Sequence, residues 1–177
     1  MKKLVIALTI ALGISVGAFA VHPSGWGIGI LGQGGFAWDG FAGSGGAALS
    51  LKAPRVPIYW GINLDIRQHG FGLGVTGDSY IIDNTLVKEK DIDFGWFLGL
   101  GVYASFYSYN YQSSYWTSMR SGARVPIGIY ILPVNFLEFF LDLAPSLGVG
   151  FYFGDYADAF HFPEGGIGAD FGIRFWF

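Results

Sequence analysis

The sequence predicts an all-β fold: a transmembrane antiparallel β-barrel of eight strands with both termini on the periplasmic side. Apolar residues recur at every second position in one segment after another, which is the period of a β-strand. The 177 residues are 52% hydrophobic and 19% aromatic but only 13% charged, and 29 of them are Gly. Because soluble domains carry about 25% charged residues and about 7% Gly, the outer surface of this chain is expected to face lipid.

The N-terminus has the pattern of a secretory signal peptide, predicted as residues 1–20 and excluded from the fold. A basic start is followed by a short apolar stretch at 4–16 and by the small residues Ala18 and Ala20 on either side of Phe19. The apolar stretch is shorter than the roughly 20 residues that a membrane-spanning helix needs. The remaining chain, 21–177, is predicted to be a single β-barrel domain in the bacterial outer membrane.

Charge and cysteine content exclude several classes of protein. Without Lys2 and Lys3, eight basic residues remain against 13 acidic ones, a net charge of −5, and no basic run occurs. Nucleic acid is therefore not an expected partner. The chain has no Cys, so neither a disulfide framework nor a lipid-modified N-terminal Cys is available.

The first four strands are predicted from their alternation and their turns. In the first strand apolar residues alternate with glycines, and a Gly-rich loop follows. The second ends in a turn that contains Pro54 and Pro57. In the third, Trp60 and four isoleucine or leucine residues alternate with more polar ones as far as Arg67, and the fourth begins after a tight turn at Gly70. These strands are predicted at 26–31, 46–51, 58–67 and 71–82.

The last four strands follow in the same way. The fifth has the longest alternation and leads into a Tyr- and Ser-rich loop. The sixth is aliphatic, the seventh alternates leucines with acidic residues, and a loop at 152–165 precedes the closing strand. The connection at 84–91 is long for an inner turn of a small barrel, which leaves the end of the fourth strand open. These strands are predicted at 94–106, 124–131, 136–147 and 166–177.

Charged residues within the predicted strands fall on the face opposite the apolar one. A lipid-facing Arg near the bilayer centre costs about 2–4 kcal/mol, so these side chains are expected to point into the lumen. Side chains can fill the interior of an eight-stranded barrel, so we predict a packed, ion-paired lumen, with a gated ion path through the same charges as the alternative. The predicted charge network is Asp65, Arg67, Arg124, Glu138, Asp142, Asp170 and Arg174, and the inward aromatic residues are Tyr59, Phe97, Tyr103, Phe136, Phe140 and Trp176.

Aromatic residues also cluster after the fifth strand, where the period of two continues past the apolar band. Tyr and Trp are enriched where membrane meets water, so one interpretation is an aromatic belt with a strand extension. The other is a partner-binding edge in an outer loop, since Tyr and Ser are typical of adaptable binding loops. The candidate binding residues are Tyr107, Tyr109, Tyr111, Tyr115 and Trp116.

The C-terminal strand has the pattern of an outer-membrane sorting signal. Asp170 and Gly172 precede aromatic residues at alternate positions, Phe175 and Phe177. This signal predicts recognition by the barrel-assembly machinery. Its apolar face predicts contact with outer-membrane lipid.

No residue pattern predicts catalysis, a metal site or a cofactor. Asp155, Asp158, His161 and Glu164 recur at every third position, but on a loop this spacing defines no ligand geometry, and a solvated acidic loop is expected. His69 and His161 are expected at the outer rim, and no Ser is paired with either by a recognisable motif.

The chain resembles small outer-membrane barrels of the OmpA/OmpX type. Four segments resemble more narrowly a spirochaete family of small outer-membrane proteins of unknown function. The resemblance implies a surface-exposed barrel and supplies no catalytic residues. The segments are 71–78, 122–128, 137–140 with 144–146, and 172–177.

The predicted function is that of a non-enzymatic integral outer-membrane protein. Its role would be structural, or it would bind a host or environmental protein through its outer loops, as in adhesion. A narrow, porin-like pore gated by the lumenal ion pairs is the alternative, and an enzyme that modifies the envelope is the third possibility.

Overall fold

A computed structural model of the chain describes residues 22–37, 44–67, 69–89, 92–111, 114–154 and 159–177. Of these residues 87% lie in β-strands, and all strand pairs are antiparallel. None of them forms a helix long and apolar enough to cross a membrane. The strands are β1 (Gly27–Ala37), β2 (Ser44–Lys52), β3 (Tyr59–Arg67), β4 (Gly70–Glu89), β5 (Ile92–Tyr111), β6 (Ser114–Arg124), β7 (Ile127–Val134), β8 (Leu137–Gly154) and β9 (Phe160–Trp176).

The sheet closes into a ring of eight strands, a fold compatible with a small β-barrel. β1 pairs with both β2 and β9, while β4 pairs with both β3 and β5. β6 and β7 lie end to end as one strand of the ring, because both pair with β5 on one side and with β8 on the other. The predicted count of eight strands is therefore confirmed.

The break between β6 and β7 lies at Val125 and Pro126. Proline has no backbone N–H and cannot donate to a ladder. The neighbouring chains still bond to this point, since Gly99 N donates to Pro126 O at 2.8 Å and Val125 N donates to Pro145 O at 2.9 Å. The ring therefore stays closed where the regular ladder is interrupted.

The predicted strand extension in the Tyr-rich stretch is confirmed, since β5 continues to Tyr111 and β6 begins at Ser114. Two other predicted connections, 84–91 and 152–165, are wrong because the strands run further than their apolar alternation. Residues 84–89 belong to β4, and most of 152–165 belongs to β8 and β9. Ladder hydrogen bonds join backbone groups whatever the side chains are, so polar residues extend a strand once its neighbour is in place.

Both ends of the described chain lie at one end of the ring. Trp26 N donates to Phe177 O at 3.1 Å, and Phe177 N donates to Trp26 O at 2.8 Å. We call this the terminal end of the ring. The opposite end carries the connections after β1, β3, β5 and β8, since antiparallel strands alternate in direction.

The two faces of the sheet differ sharply. Side chains that point inward include Tyr59, Phe97 and Trp176, which are 6%, 0% and 5% exposed. Space is tight there, because a Cβ on Gly172 of β9 would collide with the ring of Phe140. Large apolar side chains cover the outward face, with at least one on every strand: Ile30, Leu49, Leu64, Leu73, Val102, Met119, Ile129, Leu141 and Phe171 are all exposed.

Phe136 does not point inward as predicted. It lies in the turn between β7 and β8 and is 57% exposed. Alternation holds only within a strand, and the strand begins one residue later, at Leu137.

Candidate functional site

The inner part of the site is a buried ion pair near the terminal end of the ring. Glu138 of β8 and Arg174 of β9 are cross-strand partners, and Arg174 Nη1 donates to Glu138 Oε1 at 2.8 Å. Trp176 Nε1 donates to Glu138 Oε2 at 2.7 Å. Ser50 Oγ, from β2, accepts from Arg174 Nε at 3.1 Å and from Nη2 at 3.0 Å. We call these four residues the Arg174 cluster. It joins β2, β8 and β9 across the interior.

Aromatic rings surround the guanidinium of Arg174. Its Cζ lies 4.6 Å from the ring centre of Phe140, 4.9 Å from that of Tyr59 and 5.5 Å from that of Trp176. Arg174 is 2% exposed and Glu138 is 0% exposed. Rings of this kind attract a cation electrostatically, and more strongly where water is excluded. The charge of Arg174 is therefore supported by a carboxylate, a hydroxyl and three rings.

A second cluster lies further along the interior, around Arg124 at the end of β6. Arg124 Nη2 lies 2.8 Å from Asp170 Oδ2 and 3.6 Å from Asp142 Oδ1, and its Nε lies 3.2 Å from Asp78 Oδ1. Asp142 and Asp170 face each other as cross-strand partners. Like charges directly opposite each other are destabilising. The positive charge of Arg124 offsets the repulsion between these carboxylates. We call these four residues the Arg124 cluster.

The two clusters are separate levels of the interior. Asp142 and Asp170 each lie four residues along their strands from Glu138 and Arg174. Four residues of a strand span about 13 Å. The predicted charge network contains Arg124, Glu138, Asp142 and Arg174 together. The structure instead pairs Glu138 with Arg174 and groups both Asp142 and Asp170 with Arg124.

A third ion pair lies towards the other end of the ring. Arg120 Nε is 3.1 Å from Glu164 Oε1, and Tyr152 Oη donates to Glu164 Oε2 at 2.9 Å. Glu164 is 5% exposed, so it does not belong to a solvated loop as the sequence suggested. It lies on β9, which begins at Phe160.

Not all predicted network residues join these clusters. Asp65 lies on β3 opposite Gly72, further from the terminal end. The side chain of Arg67 lies outside the described part of the chain, as do Asp155 and Asp158. His161 is exposed, with its ring centre 4.8 Å from that of Tyr152.

Three residues of the site, Asp78, Asp83 and His22, were not predicted from the sequence. They differ in whether the sequence contains a pattern that could have revealed them. Asp78 follows the alternation of the fourth predicted strand, so extending that pattern inward would have found it. Asp83 follows a register shift between Tyr80 and Ile82, which a regular period cannot reveal. His22 lies in no strand, and nothing in the sequence marks it.

His22 enters the interior from the segment that precedes β1. Its ring Nδ1 lies 2.8 Å from Asp83 Oδ2, and its ring Nε2 lies 3.4 Å from Glu138 Oε1. Its backbone N donates to the same Asp83 oxygen at 3.0 Å. Burial by itself lowers the pKa of His22, but the carboxylates of Glu138 and Asp83 outweigh burial and raise the pKa above its usual value. The cationic form is thus favoured in the folded chain.

This raised pKa predicts a stability that falls with increasing pH. The charged His22 contributes its full stabilisation below the unfolded pKa of about 6.5, and that contribution is lost as the pH rises through the raised folded pKa. Denaturant unfolding of the folded protein in detergent, measured at steps from pH 6 upward, should show the decline. The His22→Gln variant, which lacks this titrating side chain, should show a smaller decline. An identical pH profile for both proteins would contradict the prediction.

Two adjoining cavities, of about 220 and 180 Å³, lie above the Arg124 cluster. Both are lined by Tyr103, Ser105 and Ser146. Arg124 lines the first, and Arg120 and Glu164 line the second. The interior is therefore filled at the terminal end and more open towards the other end.

The aromatic residues of the predicted binding edge lie at the end opposite the chain termini. The ring of Trp116 on β6 lies 5.3 Å from that of Tyr107 and 6.1 Å from that of Tyr109 on β5. Tyr115 is 48% exposed. The side chain of Tyr111 lies outside the described part of the chain.

The residues of the predicted sorting signal divide between the two faces of β9. Phe175 and Phe177 are exposed on the outward face, at 45% and 78%. Asp170 belongs to the Arg124 cluster, and Gly172 lies against Phe140.

Within the described ranges, no group of three or more His, Cys, Asp or Glu side chains could hold a metal ion.

Comparison of the chain with protein-family models, with curated proteins and with solved structures found no match.

Proposed function

We propose that this chain is a non-enzymatic integral membrane protein of the bacterial outer membrane, an eight-stranded β-barrel with both termini in the periplasm. The observation that carries this proposal is the separation of side chains between the two faces of the ring. Exposed apolar side chains occur on every strand, while Arg124, Glu138, Asp170 and Arg174 are buried inside.

Lipid is the solvent that suits such a surface. Water-soluble monomers rarely expose contiguous apolar patches larger than a few hundred Å², whereas here apolar residues surround the ring. A spanning structure must also pair its backbone groups internally, and a closed ring of strands does so. The signal-like pattern of residues 1–20 supports export, and the alternating aromatic residues of β9 support outer-membrane assembly.

The aromatic edge supports a role at the cell surface. With the terminal end in the periplasm, the β5–β6 hairpin faces the exterior. Tyr107, Tyr109, Tyr115 and Trp116 there offer rings and hydroxyl groups, which adaptable binding surfaces commonly use. We propose that this edge contacts a host or environmental protein.

Cell fractionation and surface proteolysis test the location. The protein should sediment with outer membranes, and its mobility on a gel should change on boiling, as expected for a folded barrel. Protease added to intact cells should cut near 112–113 and leave the termini protected. A soluble periplasmic protein, or termini cut in intact cells, would overturn the proposal.

A substitution on the outward face tests the lipid contact directly. Leu141→Arg should destabilise the protein in lipid vesicles by about 2–4 kcal/mol, because Leu141 is 47% exposed on the outward face of β8, which we propose lies against lipid near the bilayer centre. The control is Val134→Arg at the end of β7, where the same charge should cost about 0–1 kcal/mol. Equilibrium unfolding in urea measures both. Equal small losses would argue against burial of this face in lipid.

A further inference from the structure

His22 is held in a cage of side chains from six strands of the ring. The segment 22–25 precedes the first ladder pairing, which begins where Trp26 meets Phe177. Five aromatic rings surround the imidazole, with ring centres between 4.0 and 6.3 Å away. They are Tyr59 of β3, Tyr80 of β4, Phe97 of β5, Tyr130 of β7 and Trp176 of β9.

The charges that face His22 call for a cation. Asp83 of β4 and Glu138 of β8 contact its two ring nitrogens, and Arg174 of β9 contacts Glu138. Without His22 these three groups carry a net charge of −1 in a site closed to water. A net charge buried away from water is strongly unfavourable. An imidazolium balances it, and the surrounding rings also favour a cation.

The place of His22 in the chain makes it a movable occupant. Each ring of the cage belongs to a strand of the closed sheet, but His22 precedes β1 and belongs to none. If the predicted signal peptide is removed after residue 20, His22 is the second residue of the mature chain. It can then leave the cage without unpairing any strand.

We propose that this cage is a binding site for a small planar organic cation, and that the side chain of His22 is its built-in occupant, which closes the terminal end of the interior. The cage consists of Tyr59, Tyr80, Phe97, Tyr130, Trp176, Asp83 and Glu138. A free cation of imidazolium size binds when His22 is withdrawn or removed.

Replacement of His22 and addition of a free ring test the site. The mature chain, folded in detergent, is prepared as wild type and as His22→Gly. Calorimetric titration with imidazole at pH 6, where imidazole is mainly cationic, should show saturable binding to His22→Gly. Binding to the wild type should be at least about tenfold weaker, since its own ring fills the cage; this factor equals about 1.4 kcal/mol. Equal binding to both proteins, or to neither, overturns the proposal.

Two controls distinguish a site that binds cations from an apolar cavity that binds any ring of this size. Pyrazole has the size of imidazole but is neutral at pH 6, and it should bind His22→Gly at least about tenfold more weakly. The double variant His22→Gly/Asp83→Asn removes a carboxylate that contacts the occupant, and it should lose most of the imidazole affinity. Equal binding of the two rings, or unchanged affinity in the double variant, overturns the assignment of a cation.

If His22→Gly does not fold alone, refolding provides the measurement. Imidazole should restore the heat-modifiable gel mobility in the millimolar range, and pyrazole should not. The same yield with either ring, or no folding with imidazole, overturns the proposal. All these measurements use detergent-folded protein, so their outcome does not depend on the proposed cellular location.

Discussion

Arg174→Met is expected to lower the free energy of unfolding by about 3–5 kcal/mol, the usual result of removing one partner of a buried ion pair. Arg174 is 2% exposed, and its loss leaves Glu138, which is 0% exposed, without its main counter-charge. Ser50 loses both of its guanidinium donors at the same time. The long side chain of Met fills much of the volume that the Arg side chain occupied. The loss of stability therefore measures the ion pair more than the effect of a cavity.

Urea unfolding of detergent-folded protein measures this effect. The double variant Arg174→Met/Glu138→Gln should recover most of the stability, because Gln is neutral and can still accept the hydrogen bond from Trp176. The matched control is Lys88→Met, since Lys88 is an exposed cation 3.8 Å from Asp93, and exposed pairs contribute about 0–1 kcal/mol. If the double variant shows the sum of the single losses, Arg174 and Glu138 are not energetically coupled.

Arg124→Met is expected to have a comparable effect, about 3–5 kcal/mol at neutral pH. It leaves Asp78, Asp142 and Asp170 in one buried place without a cation. Acidification should recover part of the loss, because a protonated carboxyl group no longer repels its neighbours. The gain should be larger than that of the wild type, in which the cation Arg124 lies beside the three carboxylates.

The control for this variant is Arg120→Met. Arg120 is also an interior arginine, but its side chain is 32% exposed and it has one acidic partner, Glu164. It should lose distinctly less stability than Arg124→Met. Equal losses of stability would show that the repulsion among the three carboxylates does not increase the effect of removing Arg124.

Planar-bilayer conductance of the same Arg124 variant tests the alternative of a gated pore. A filled terminal end predicts no steady openings in the wild type. Steady openings that disappear in Arg124→Met would instead favour an ion path through the Arg124 cluster.

Much of the ring follows from the alternation of residues. The period of two assigned Ile30, Leu141 and Phe171 to one face and Glu138 and Arg174 to the other, because successive side chains of a strand point to opposite sides. It failed where the strand was polar, as at 114–123, and where the phase shifted, as before Asp83. In both places hydrogen bonding to the neighbouring strand decides the structure. The residues of a single strand do not show which strand pairs with it or in which register.

The sequence by itself determined the class of fold, the number of strands and which face of each strand is apolar, since these depend on local alternation and on composition. Only the tertiary structure decided which charges meet. Register brings Glu138 opposite Arg174 and Asp142 opposite Asp170, and it places both Asp78 and Arg124 beside Gly101 of β5, the strand between theirs. It also brings His22, which no periodic pattern includes, into contact with Asp83, 61 residues along the chain. Partners of this kind depend on how strands are staggered around the ring, a long-range property that alternation within single strands does not encode.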